Sequence, residues 1–212
     1  MNVMQETCCL LVGYACGNLL TADLVCRAKA GRSAFQTGDG NPGMANVGHT
    51  LGVGAAVAVL AGDIGKTLLA WCLGNAMAPV EGSLAGLIAG VGVTLGHNYP
   101  VWHGFRGGKG VTTTCSAIIL ANPVTGLASC LVGLATVLLE GHLCVGAVAI
   151  TTAWLVLSAA FGTPAQTIAA VMLEVLMVMA HGSAIRGIAT GKTGRATLSA
   201  KFWVMLGHPR KS

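Results

Sequence analysis

The sequence predicts an all-α integral membrane protein with seven transmembrane helices, its N-terminus outside and its C-terminus inside. Composition is the first observation: 54% of the 212 residues are hydrophobic and 9% are charged, with a mean hydropathy of +0.73. A chain of this length cannot hide so much apolar surface in a core while presenting so little charge to water. The second observation is a series of apolar runs near the roughly 20 residues that one helix needs to cross a bilayer. The third is that lysine and arginine gather in three clusters separated by even numbers of those runs.

The runs are 8–26, 51–73, 79–95, 111–121, 123–139, 143–161 and 164–180. Each is read as a helix, because lipid offers no partner for an unpaired backbone N–H or C=O. The first run has no basic region before it and contains Asn18 and Asp23, so it is a retained span and not a cleaved signal. Arg27, Lys29 and Arg32 follow, within a polar connector, 27–50, that is longer than a hairpin needs. The stretch 110–139 has no charge, and as one helix it would run about 45 Å, too long for an ordinary crossing. Asn122-Pro123 offers a turn in its middle. Division there leaves two runs between Arg32 and Arg106, and four between Lys109 and the six basic residues from Arg186 to Lys211. The positive-inside rule then places all three clusters on the cytoplasmic side. The tail, 192–212, is basic and polar and suited to anionic headgroups. With no linker, heptad or low-complexity tract, residues 1–212 read as a single domain.

This topology collects three polar segments on the cytoplasmic side: 37–46, 96–110 and 181–191. The second holds five glycines, Arg106 and Lys109 within fifteen residues. Glycines let several backbone N–H groups converge, and a guanidinium and an ammonium beside them favour a multivalent anion of phosphate size. The same charges also serve as a topology anchor. Asp63 and Lys66, three apart in the second run, share a helix face and pair; a proton or ion path is the other reading. Glu174, in the last run, should face the bundle interior or a wet cavity. The 31 glycines, Gly86 and Gly90 among them, fit close helix packing in lipid. Eight cysteines have neither Cys-x-x-Cys spacing nor a metal-binding cadence with histidine, and read as packing residues.

Several chemistries are excluded. A P-loop would need glycine where Leu60 or Arg186 stands. No histidine is followed five residues later by aspartate, and no Gly-x-Ser-x-Gly nucleophile elbow occurs. No metal, cofactor or nucleic-acid partner is expected.

The polar segments together carry Gly96-His97-x-x-Pro100 with Phe105-x-Gly107-Gly108-Lys109-Gly110, and earlier Gly38-x-Gly40-Asn41-x-Gly43-x-x-Asn46 with Thr50-Leu51-Gly52. Asp63-x-x-Lys66 and His181-x-x-x-Ile185 with Gly191 follow. In these motifs and in their order the chain resembles the bacterial acyl-phosphate-dependent glycerol-3-phosphate acyltransferases, the PlsY family. The resemblance covers nearly the whole chain. It implies a multi-pass enzyme of the bacterial cell membrane that moves a fatty acyl group from acyl phosphate to the 1-hydroxyl of glycerol 3-phosphate. Lysophosphatidic acid and phosphate would be the products, in phospholipid synthesis. Lys109 and His181 are the implied catalytic residues. Gly40, Asn41, Asn46, His49, His97, Arg106, Gly107, Gly108 and Gly110 are the implied substrate-binding residues.

The chain departs from that family at Asp39, Ala45, His49, Ala184, Gly187 and Thr193, where serine, threonine, arginine, asparagine, arginine and glutamate are usual. A histidine is a weaker anion clamp than an arginine at neutral pH, so a divergent member with another acceptor, or none, stays open. A membrane transporter of an anionic solute is the rival class, with the glycine loops as binding site and Asp63, Lys66 and Glu174 as relay groups. Phosphate release without solute movement separates the two.

Overall fold

The computed structural model describes residues 1–79 and 84–207. Among these, five segments are long and apolar enough to cross a membrane: Val3–Ala30, Val53–Met77, Pro123–Glu140, Leu143–Phe161 and Pro164–Ala189. The chain forms two compact units, Met1–Ala121 and Asn122–Ser212.

The first unit begins with α1 (Val3–Gly17), opened by a capping box in which Asn2 Oδ1 accepts from Gln5 N and Gln5 Oε1 from Asn2 N. The run expected as one helix over 8–26 is broken at Asn18, and α2 (Thr21–Ala30) restarts beyond it. Asn18 makes the break: its Nδ2 donates to Tyr14 O at 2.7 Å and its Oδ1 accepts from Val101 N at 2.6 Å. Asp23 is buried, taking Arg27 Nε at 2.7 Å and Ala34 N at 2.8 Å, and so holds the start of the connector. Inside that connector lies α3 (Met44–Leu51), separated by Gly52, with φ 86°, from α4 (Val53–Met77). The helices α5 (Leu84–Asn98) and α6 (Val111–Ala121) complete the unit. Part of the expected run 79–95 lies outside the described residues.

Glycines bring α1 and α5 to backbone contact. A Cβ on Gly13 or Gly17 would strike the Ala89 or Val93 carbonyl, and one on Gly92 or Gly96 the Leu10 or Tyr14 carbonyl. The two pairs, each spaced by four, form a small-residue crossing. Gly86 and Gly90 face other neighbours, Trp71 of α4 and Ala117 of α6.

In the second unit, α7 (Pro123–Glu140) starts where the turn was expected, with Asn122 as N-cap and Pro123 at its first position. The helix α8 (Leu143–Phe161) matches its run, and α9 (Pro164–Ala189) opens on a Thr163–Gln166 capping box. Expected to end near residue 180, α9 instead spans Pro164–Ala189; no proline interrupts 165–189, and Ala184, Ile185, Ile188 and Ala189 carry the helix past Gly182 and Gly187. Glu174 accepts from Thr152 Oγ1 of α8 at 3.0 Å. The tail carries α10 (Thr197–Met205), whose Ser199 Oγ and Trp203 Nε1 both donate to Leu138 O at 2.9 Å. That docks it on the end of α7. The basic residues Arg210 and Lys211 lie outside the described residues. All eight cysteines are free.

Candidate functional site

Two of the three polar segments meet within the first unit. The turn at 37–43 is built around Asn46, which is buried. Its Nδ2 donates to Thr37 O at 2.8 Å and Asn41 O at 2.9 Å, while its Oδ1 accepts from Asp39 N at 3.0 Å. The Asn46 amide is therefore committed to shaping this turn. Asp39 Oδ1 accepts from Asn41 N at 2.9 Å, an Asx turn that leaves the half-buried Asn41 side chain at the rim. Gly38 and Gly40 have φ of 58° and 76°, which only glycine adopts without cost. His49 is exposed on the last turn of α3.

The glycine loop runs from the end of α5 to the start of α6. Phe105 is the one non-glycine residue with positive φ, 60°, among those described. Gly108 N donates to His97 O at 3.0 Å. A Cβ on Gly107 would lie 2.8 Å from Asn98 O, and one on Gly108 would lie 2.9 Å from Pro42 O. Gly108 thus sits where the two loops touch, and Phe35 and His103 add a tilted ring contact at 5.4 Å.

Beyond Gly108 the backbone turns into a donor array. Among the described residues no hydrogen bond uses the N–H groups of Lys109, Gly110, Val111, Thr112 or Thr113; the next, Thr114 N, donates to Gly110 O at 3.0 Å. A helix N-terminus preceded by a glycine turn points such groups at an anion. Lys109 is half-buried beside them and Arg106 is exposed. Neither forms an ion pair with a described residue.

His97, implied as a substrate-binding residue, is buried beneath the loop. It is 3% exposed, with Nδ1 2.8 Å from Lys66 Nζ and Nε2 against Gly108. Lys66 also contacts Asp63 Oδ1 at 2.8 Å and Leu19 O at 2.9 Å. The pairing of Asp63 with Lys66 is as expected; the inclusion of His97 and of the carbonyl freed at the α1–α2 break is not. His181 lies in the second unit, buried within α9, its Nδ1 3.0 Å from Met177 O.

Sequence reasoning passed over the residues that anchor the glycine loop from below. Tyr14 donates to Tyr99 O at 2.9 Å and Asn18 holds Val101 N. Thr94 Oγ1 lies 3.1 Å from Thr113 Oγ1, and Thr113 donates to Gly110 O at 3.0 Å. Asn98 is buried beside Gly110 with neither amide atom hydrogen-bonded. Polar residues set in apolar runs were the available signal. Among the described residues no group of three or more His, Cys, Asp or Glu is arranged to hold a metal ion.

A family model described as glycerol-3-phosphate acyltransferase matches residues 7–191. A glycerol-3-phosphate acyltransferase of Alkaliphilus metalliredigens is 33% identical over 192 residues, covering 89% of this chain and 96% of its own. One of Lactobacillus johnsonii is 37% identical over 141 residues, 66% of this chain and 68% of its own. Among solved structures, the crystal structure of PlsY, an integral membrane glycerol 3-phosphate acyltransferase, in its glycerol 3-phosphate form superposes with a TM-score of 0.80. It is 26% identical and covers 90% of this chain and 95% of that one.

Proposed function

Because the chain belongs to the glycerol-3-phosphate acyltransferase family, we propose that its glycine loop and the start of α6 are the phosphate and oxyanion cradle of acyl transfer from an acyl phosphate. The chain is a multi-pass membrane enzyme that acylates the 1-hydroxyl of glycerol 3-phosphate, giving lysophosphatidic acid for phospholipid synthesis. Residues 1–212 act as one acyltransferase, since the family match runs through both compact units. The carrying observation is the run of N–H groups from Lys109 to Thr113, unused among the described residues, beside the Lys109 ammonium.

An acyl phosphate is already activated, so the reaction needs orientation and charge stabilisation more than a protein nucleophile. The glycerol hydroxyl oxygen attacks the acyl carbon, the bond from that carbon to the phosphate oxygen breaks, and the hydroxyl proton ends on the departing phosphate. Lys109 and Gly110 hold the anionic oxygens, while Gly107 and Gly108 shape the loop, Gly108 N being bonded to His97 O. Asn41 and Arg106 bind from the rim, His49 clamps the acceptor weakly, and Gly40 and Asn46 shape the first turn. His97 sets the floor of the cradle. His181 is assigned to orienting or polarising glycerol 3-phosphate on the strength of the third motif. No cofactor or metal is assigned a step.

The same reading includes a seven-span topology, N-terminus outside and C-terminus inside, with connectors 27–50 and 98–110 on the cytoplasmic face of a bacterial plasma membrane; the placement of lysine and arginine in the sequence supports it. Family membership favours this enzyme over an anion transporter built from the same loops.

The test is purified protein in detergent with acyl phosphate and a panel of glycerol-phosphate-like acceptors. Lysophosphatidic acid and phosphate should form one for one. Transfer from an acyl thioester alone would remove the acyl-phosphate donor. Transfer to a different acceptor only would replace glycerol 3-phosphate.

A further inference from the structure

Asp63, Lys66, Thr21 and His97 form a charged cluster inside the first unit, where the apolar run of α4 passes the α1–α2 break. Asp63, Lys66 and His97 are 2%, 5% and 3% exposed. An ammonium has three N–H donors and no lone pair, so it can only donate. Three acceptors stand around Lys66 Nζ: Asp63 Oδ1 at 2.8 Å, Leu19 O at 2.9 Å and His97 Nδ1 at 2.8 Å. The donors and acceptors match in number. A bond to Nδ1 therefore requires Nδ1 to be bare. The competing partner for an Nδ1–H, Asp63 Oδ1, is 3.8 Å away, beyond hydrogen-bond range. Asp63 Oδ1 is occupied by Lys66 and by Thr21 Oγ1 at 3.1 Å.

We propose that Lys66, held by Asp63 and by the Leu19 carbonyl, is a positioning residue that locks His97 in the neutral form protonated on Nε2. His97 then turns an N–H donor toward Gly108, beneath the cradle that the preceding reading assigns to phosphate oxygens. The inference rests on that reading only for what the donor meets; the tautomer is a property of the protein alone. The gain is specific. A neutral N–H donor supports an anion without a proton that the anion could take, and its direction is fixed before substrate arrives. The break at Asn18 takes part too, because an unbroken helix would use the Leu19 carbonyl within its own ladder.

The test is a long-range nitrogen–proton NMR spectrum of protein labelled with nitrogen-15 histidine in lipid nanodiscs, His97 being assigned from His97→Gln. Substrate-free protein should show Nε2 protonated and Nδ1 bare; an Nδ1–H form or an imidazolium would overturn the proposal. Asp63→Asn with Lys66→Met removes both charges together, which avoids leaving one buried and unpaired. This pair should release the tautomer preference and slow kcat by about tenfold or more, the scale of a small misorientation. In a His97→Gln background, where an amide N–H replaces Nε2–H, the same pair should cost far less. Equal losses in both backgrounds would show that Lys66 acts only on stability. Inorganic phosphate should then shift the His97 Nε2–H signal along with the Gly108 and Lys109 amides. Shifts at the loop without His97 would overturn the donor role and leave the cradle standing. Shifts at neither would remove both.

Discussion

Gly108→Ala is the smallest change that tests the cradle. The added methyl would lie 2.9 Å from Pro42 O and 3.0 Å from His97 Cδ2, and closer still to His97 Nε2. Ordinary contacts are about 3.5 Å or longer, so something must move by about 1 Å. His97 is poorly placed to give way, since its other nitrogen is 2.8 Å from Lys66 Nζ. Pro42 O is backbone in a turn fixed by Asn46. The displacement therefore falls on the glycine loop, carrying Lys109 and its N–H array with it. A 1 Å misplacement of a positioning group costs about 10²-fold in rate. The assay is phosphate release from acyl phosphate with glycerol 3-phosphate, beside a thermal melt in detergent. Gly104→Ala is the control: its φ is 61° and a Cβ there would meet nothing within 4 Å. It should lose about 1–2 kcal/mol of stability to backbone strain and keep its rate. A Gly108→Ala protein with near-normal kcat/KM would refute the close approach of the two loops.

Lys109→Ala should lower acyl transfer by about 10²–10³-fold, the usual loss for one preorganised donor, while the protein stays inserted and monodisperse. His49→Arg should lower the KM for glycerol 3-phosphate if His49 is a weakened clamp; no gain, or a loss, would mean the acceptor pocket has been remodelled. Single-cysteine labelling from the two sides of intact cells, in an otherwise cysteine-free chain, should find positions 109 and 201 on the same, cytoplasmic face. Opposite sides would break the parity argument for seven spans.

The apolar runs and the turn at Asn122-Pro123 were readable because hydropathy and proline act locally. The second motif was readable because its glycines, Arg106 and Lys109 adjoin one another in the chain. What escaped depends on distant partners. Nothing local distinguishes Asn18 as a helix breaker; the pull comes from Val101 N, 83 residues away. Asn46 reads as a substrate ligand, yet its amide is spent on Thr37, Asp39 and Asn41. The burial of His97 against Lys66, 31 residues away, has no local signal. Beyond His181, Gly182, Ser183, Arg186 and Gly187 hid a helix that continues because no proline stops it.

The glycine crossing of α1 with α5 has a consequence for biogenesis. Gly13 and Gly17 meet partners 79 positions later, near Gly92 and Gly96, so at ordinary translation rates α1 waits roughly 4–16 s for its neighbour. Lys66, the partner of the Leu19 carbonyl, is 47 residues behind it. During that interval the first helix sits in the membrane with a bare glycine face and an unsatisfied break. Asp63 and Lys66, by contrast, enter together and neutralise each other from the start. The ribosome thus delivers a self-sufficient ion pair into a half-built scaffold, and the arrival of α5 both closes the backbone crossing and brings His97 to the waiting ammonium. Assembly of the first unit is timed by its fifth helix, and slowing synthesis between α1 and α5 prolongs its most vulnerable state.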